Sequence, residues 1–365
     1  MRNGLEGRCL GWLPKPLTLY VSLDMDRRIL IILMALGFLG VMAYGTFGMH
    51  GGVAGVGSDS GIRDPSAPAI TVRDLDVGQG DATYIHNGDS RVLIDGGPDA
   101  RRMGVLLDSL GLNDTTIDVV ILTHQHADHY MGLLPLFDSR RHIRIKYFFE
   151  DKDPAAASSL ARLRDSIIAR VNSDGLQYRS TDDPCGDGEA ICTITLRGGA
   201  QMHIMSPLPA PAKPNNRSVA VKLVGPDSAS FTMWIAGDAE HAAIAHFERA
   251  GYDVNPGMHV DVLKADHHGS CNGVTPRYLE LTSPSWVVAS VGAHNDYGHM
   301  HEQAKGEYRA AGIPWYRTDQ NGTVTIRSAG KPGSGYTITP SRPGKDLNGP
   351  SDRRASVRGC AGSAD

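Results

Sequence analysis

The sequence predicts an α/β fold with helices on both faces of central sheets, because short β-branched runs alternate with stretches whose apolar residues recur at helical spacing. Its 365 residues exceed what a single core commonly holds, so one large domain with flanking segments is expected. With 41% hydrophobic and 21% charged residues the chain has an ordinary globular composition, which excludes wholesale disorder and a polytopic membrane protein.

In chain order, the first element is the uncharged run ILIILMALGFLGVMAYG (29–45), which directly follows Asp26, Arg27 and Arg28. This is the pattern of a signal sequence or membrane anchor, with residues 1–28 left in the cytoplasm. Retention would give a membrane-anchored extracytoplasmic domain, and cleavage a secreted or periplasmic one. Met25 opens a signal-like segment, so residues 1–24 read as an over-extended start. The Gly/Ser-rich stretch 46–68 reads as a flexible linker, 69–339 as the folded, catalytic unit, and 340–365, rich in Pro, Gly, Arg and Ser, as a disordered tail.

Within 69–339 the runs TVRDLDV, ATYIHN, RVLID, IDVVILT, VAVKLV, FTMWIAG, HVDVLKA and WVVASV read as strands. Between them, Met103, Leu106, Leu107 and Leu110 keep helical spacing up to Gly111, and Leu160, Leu163, Ile167 and Val171 line one face of a second helix.

A formal charge of -4 offers no global attraction for nucleic acid. A local basic patch would have to come from Arg101 and Arg102, or from Arg140, Arg141, Arg144 and Lys146, and these read first as solvated surface residues. The five cysteines form no CxxC pair, which excludes a zinc ribbon and a thioredoxin-like motif. Cys185 and Cys192 bracket a Gly/Asp-rich stretch; they either close a hairpin disulfide outside the cytoplasm or remain two unrelated thiols. GxSxG, HEXXH and Walker A motifs are absent, so serine-esterase, zincin and nucleotide-cofactor readings have no support.

The chemistry concentrates in THQHADHY (123–130), where the buried strand IDVVILT ends and a helical stretch begins. His124, His126, Asp128 and His129 place three imidazoles and a carboxylate together, a set suited to borderline divalent metals. This segment resembles the signature of the metallo-β-lactamase superfamily. DVGQGDA (76–82), VLIDGG (92–97), AGD (236–238), LKADHHGS (263–270) and YGHMH (297–301) are similar, in order, to its ComEC-type branch of competence-protein hydrolase domains.

The resemblance implies an αββα sandwich with one or two divalent metal ions at its edge, zinc first and manganese next. By position, His124 and His126 would hold one ion, Asp128 and His129 the second, with Asp238 bridging. His268 is the favoured further ligand, with His267 beside it as ligand or proton donor. Asp95 would support a ligating His from behind. His299 is a candidate substrate contact or general acid, with Asn295 and Tyr297 nearby, and Asp81 or Gln79 would touch substrate. Where superfamily members with two complete sites carry a further His, this chain reads NNRSVAVKL, with Asn215 and Asn216; His203 is a weak substitute.

The implied activity is metal-dependent hydrolysis, with Asp128, Asp238 and His299 as catalytic residues and a metal-held hydroxide as nucleophile, on a phosphodiester or nucleic acid. Two alternatives stand beside it: an exported esterase on a phosphocholine-like ester, and a non-enzymatic metal-stabilised binding domain. The sequence does not reveal the oligomeric state.

Overall fold

A computed structural model describes residues 70–349 apart from 156, 211, 227–230 and 329–334. The expected cytoplasmic segment, the anchor at 29–45, the linker and the last residues from 350 lie outside the described residues. Among the described residues no helix is long and apolar enough to cross a membrane.

Fifteen described strands form two sheets. The first holds β1 (Ile70–Asp74), β2 (Thr83–Asn87), β3 (Ser90–Ile94), β4 (Thr116–Ile121), β5 (Arg144–Glu150), β6 (Gln177–Ser180), β14 (Val324–Ser328) and β15 (Tyr336–Pro340), in the order β15-β14-β1-β2-β3-β4-β5-β6. The second holds β7 (Ile191–Thr195), β8 (Gln201–Met205), β9 (Ala220–Val224), β10 (Thr232–Ile235), β11 (Val262–Lys264), β12 (Trp286–Ala289) and β13 (Trp315–Arg317), in the order β13-β12-β11-β10-β9-β8-β7. In each sheet one half is parallel: β3 through β6 in the first, and β10 through β13 in the second.

Alternation along the strands produces the layers. Val92 and Ile94 of β3 meet Met233 and Ile235 of β10 and Val288 of β12 in a core between the sheets. Leu93 faces the other way, onto helices α1 (Ala100–Ser109) and α3 (Ser158–Asp174), through Met103, Leu107, Leu160 and Leu163. Trp234 and Val287 likewise face Phe247 of α4 (His241–Arg249), Tyr278 of α5 (Pro276–Thr282) and Tyr308 of α6 (Glu302–Ala310). The result is the αββα arrangement expected from the sequence. Val171 stays 36% exposed, which shortens the predicted apolar face of α3 to Leu160, Leu163 and Ile167.

The folded unit runs past residue 339, where the disordered tail was expected. Asn348 O accepts from Lys305 Nζ at 2.6 Å, Leu347 O from Trp315 Nε1 at 3.1 Å, and Gly349 O from Arg317 Nη1 at 2.6 Å. Backbone carbonyls hold residues 347–349 on these buried donors, so no apolar periodicity was required of the segment. Cys185 and Cys192 are disulfide-bonded, with Cα atoms 5.0 Å apart, just ahead of and within β7.

Candidate metal centre

The candidate ligands leave the C-terminal ends of the parallel strands in both sheets, where a layered α/β fold opens its crevices. His124 and His126 lie between β4 and the short helix α2 (Ala127–Tyr130), which carries Asp128 and His129. Asp238 follows β10, His267 and His268 follow β11, and His299 lies beyond β12. The two sheets meet tightly here: a Cβ on Gly237 (φ +53°) would lie 2.5 Å from Thr123 Oγ1, so only glycine lets the β10 end turn against the β4 end.

Asp238 organises the centre by dividing its two oxygens. Oδ1 lies 3.1 Å from His129 Nε2 and 3.4 Å from His268 Nε2, while Oδ2 lies 3.7 Å from His124 Nε2. His124 Nε2 is in turn 3.0 Å from His126 Nδ1, and His268 Nε2 is 3.2 Å from Asp128 Oδ2. Two donor sets follow: His124, His126 and Asp238; and Asp128, His129, Asp238 and His268.

These sets fit a divalent cation. Donors at ~2.1 Å from one tetrahedral ion stand roughly 3.4 Å apart, close to the spacings above. His129 Nε2 and Asp238 Oδ1 are both buried and make no hydrogen bond, although such atoms are costly to leave unsatisfied. Asp95 Oδ2 accepts from His129 Nδ1 at 2.8 Å, which fixes the ring with Nε2 toward Asp238, so Nε2 is the atom that would ligate.

Electrostatics separates the two sets. Burial favours the neutral acid at Asp238, but His268 and His129 reverse this and hold its carboxyl well below the usual range. Burial would also push His268 down, yet Asp238 and Asp81 hold it up at about 10. His124, by contrast, is kept well below its ordinary value by burial and by His129 beside it. In the metal-free protein, protons on one set therefore stand in for positive charge that the other set does not carry.

Behind His268 lies a buried relay that the sequence motifs did not announce. Its Nδ1 is 3.1 Å from Ser290 O and 3.2 Å from Asp81 Oδ1, and Lys264 Nζ donates to Asp81 Oδ1 at 2.8 Å. Lys264 is 1% exposed; burial opposes its charge, but Asp81 and Asp74 keep it protonated. Asp81, expected behind a ligand or at the substrate, is buried behind the candidate ligand His268. The grouping of Asp81, Asp95 and His129 is the same backing seen from one side, since Lys264 and Thr123 already engage its carboxylates.

The remaining sequence candidates separate by what they touch. His267 Nε2 is 3.8 Å from Asp238 Oδ2, and its Nδ1 is 3.4 Å from Glu240 Oε1, so it borders the first donor set without joining it. Asn215 donates to Glu240 at 2.8 Å and lies 3.4 Å from His267 Nε2. Asn216 accepts from Ala243 N at 3.1 Å, fastening the start of α4, so its side chain serves the scaffold. Asn295 clamps the backbone of His299, accepting from its N–H at 3.0 Å and donating to its carbonyl at 2.8 Å. His203 bonds Thr193 Oγ1 at 2.8 Å on β8 and belongs to neither set.

His299 stands with its ring centre 5.3 Å from that of His267 and 5.8 Å from that of His268. Burial and the neighbouring His268 and His267 push its imidazole down to about 2, which favours the neutral ring. Arg102, Arg140, Arg141 and Lys146 are each paired with an aspartate. Lys264, Ser218 and Glu240 were missed in the sequence. The signal for Lys264 was a charge set in the otherwise apolar end of HVDVLKA.

Residues 75–147 match the metallo-beta-lactamase superfamily family model. The chain is 26% identical over 289 residues to ComE operon protein 3 of Bacillus subtilis (strain 168), an alignment covering 73% of this chain and 34% of that protein. It is 37% identical over 67 residues to Competence protein ComA of Neisseria gonorrhoeae, covering 18% of this chain and 10% of that one. The chain therefore spans about a third or less of the length of these curated relatives. Among solved structures, the metallo-beta-lactamase fold protein YhfI from Bacillus subtilis aligns with a TM-score of 0.42 at 12% identity, over 68% of this chain and 96% of that one.

Proposed function

We propose that this chain, whose residues 75–147 match the metallo-beta-lactamase superfamily and which is similar to ComE operon protein 3, is a two-metal phosphodiesterase acting on nucleic acid. One observation carries the reading: the two oxygens of Asp238 face two separate donor sets. A pair of divalent ions held a few ångströms apart suits in-line displacement at phosphorus, because the attacking and leaving oxygens need stabilising at once. The competence names of the two curated relatives support DNA as the first polymer to try. The segment 29–45 supports an extracytoplasmic placement.

When bound, the divalent ions supply Lewis acidity and make water a competent nucleophile at neutral pH. His124, His126 and Asp238 would hold one ion, and Asp128, His129, Asp238 and His268 the other. Asp238 keeps the sets in register, Asp95 fixes the ring of His129, and the Lys264–Asp81 pair fixes that of His268. His299 offers a neutral imidazole beside the centre.

The test is metal content by mass spectrometry and bis(p-nitrophenyl) phosphate hydrolysis on one sample of the purified chain, before and after chelation. About two ions per chain and chelator-sensitive turnover are expected. A chain that binds no metal tightly and stays inactive after zinc or manganese is added would sink the proposal.

A further inference from the structure

His299 is held at two points, and the second fixes its chemistry. Its backbone is clamped by Asn295, and its ring Nδ1 lies 3.2 Å from Gln79 Nε2 in the loop between β1 and β2. The other end of the Gln79 amide accepts from Gly292 N at 3.0 Å. A backbone N–H can only donate, so the Gln79 oxygen must face Gly292 and its NH2 group must face His299. That NH2 can only donate, so His299 Nδ1 must carry a lone pair, and the ring's proton must sit on Nε2. The approach is tight enough to require glycine, since a Cβ at Gly292 would lie 2.5 Å from Gln79 N. Tyr297 stacks on the same ring with centres 5.6 Å apart, limiting its rotation.

We propose that Gln79 is a positioning residue that locks His299 as the Nε2–H tautomer, so that this imidazole meets the substrate as a hydrogen-bond donor. The inference rests on the phosphodiesterase reading for what the donor meets, and on geometry alone for the lock. A neutral N–H donor beside the two donor sets stabilises charge developing on a phosphoryl oxygen without giving up its proton. Nε2 has no hydrogen-bond partner among the described residues, which leaves that donor available.

The experiment uses the full chain loaded with zinc and labelled with 15N-histidine, with His299 assigned through a His299→Ala variant. Nitrogen shifts should place the wild-type proton on Nε2. Gln79→Glu keeps an acceptor for Gly292 but presents a carboxylate to Nδ1, so the neutral ring should switch to the Nδ1–H form. Its kcat on bis(p-nitrophenyl) phosphate should fall about 100-fold at alkaline pH with little change in KM. A merely structural role for Gln79 predicts no tautomer switch.

A wild-type proton on Nδ1 overturns the lock, and this measurement needs no variant to fold. A tautomer switch in Gln79→Glu without loss of kcat overturns the donor role. If the wild type hydrolyses no phosphodiester, the functional reading fails, and the nitrogen shifts then decide the lock by themselves.

Discussion

The two donor sets share Asp238 yet are built on different principles. Behind the Asp128, His129 and His268 side stand buried carboxylates and a buried lysine: Asp95 on His129, and Asp81 with Lys264 on His268. Among the described residues, the groups behind His124 Nδ1 are hydroxyls, Thr123 Oγ1 and Ser218 Oγ, each 3.3 Å away. The first arrangement holds its ligands by charge and carries protons when metal-free; the second holds a neutral ring by weak hydrogen bonds. A centre that reads as symmetric in its ligands is therefore asymmetric in what supports them, and support decides affinity and rigidity.

The largest effect should come from removing what the two sides share. Asp238→Asn keeps the shape but loses the charge facing both sets, so metal content should drop from about two to one or fewer, with activity down on the order of 10³-fold. Retention of both ions by that variant would mean the sets are independent and the bridging assignment is wrong.

Lys264→Met comes next, because it removes the lysine from the buried Asp81 carboxylate and leaves it only the His268 imidazole at 3.2 Å. Breaking such a pair typically costs about 3 to 5 kcal/mol, whereas Ser218→Ala on the other side should cost about 1 kcal/mol. Urea unfolding of the metal-free variants measures both, and equal losses would erase the proposed contrast. Asp95→Asn follows: it weakens the acceptor on His129 Nδ1 and should lower metal affinity about 10- to 100-fold, read by competition with a chromogenic chelator.

The candidate ligands were legible in the sequence because they sit in short motifs at strand ends. HxHxDH, AGD and DHHGS each gather candidate donors within a few residues, and the structure brings these side chains into two groups that could hold a metal ion. Their support was not legible, since it joins distant segments. Lys264 reaches Asp81 across 183 positions and Gly292 reaches Gln79 across 213, and a single chain carries no spacing signal for such pairs.

Elements were missed for a related reason. Strand β5 mixes Arg144 and Lys146 with apolar residues and so presents no cleanly alternating run, while β15 alternates over only five residues, Tyr336–Pro340, none of them fully buried. The pairing of Cys185 with Cys192 stood as one of two readings because proximity in sequence does not fix Cβ geometry.

The contrast can also be sharpened without any substitution, by measuring metal affinity against pH. His268 is held at about 10 and His129 well above its ordinary value in the metal-free protein, so both are protonated near neutrality. An imidazole must be neutral to ligate, so a cation entering that set displaces protons, and affinity there should rise with pH up to about 10. The expected slope is about tenfold per pH unit for each proton displaced. His124 is held well below its ordinary value and is already neutral, so it adds no such slope to the other set. Two binding phases in a zinc titration between pH 6 and 9, one steep and one shallow, would place each ion on its side. Two phases of equal slope would mean that the buried carboxylates do not govern the second set, and the asymmetry would have to be sought in ligand number alone.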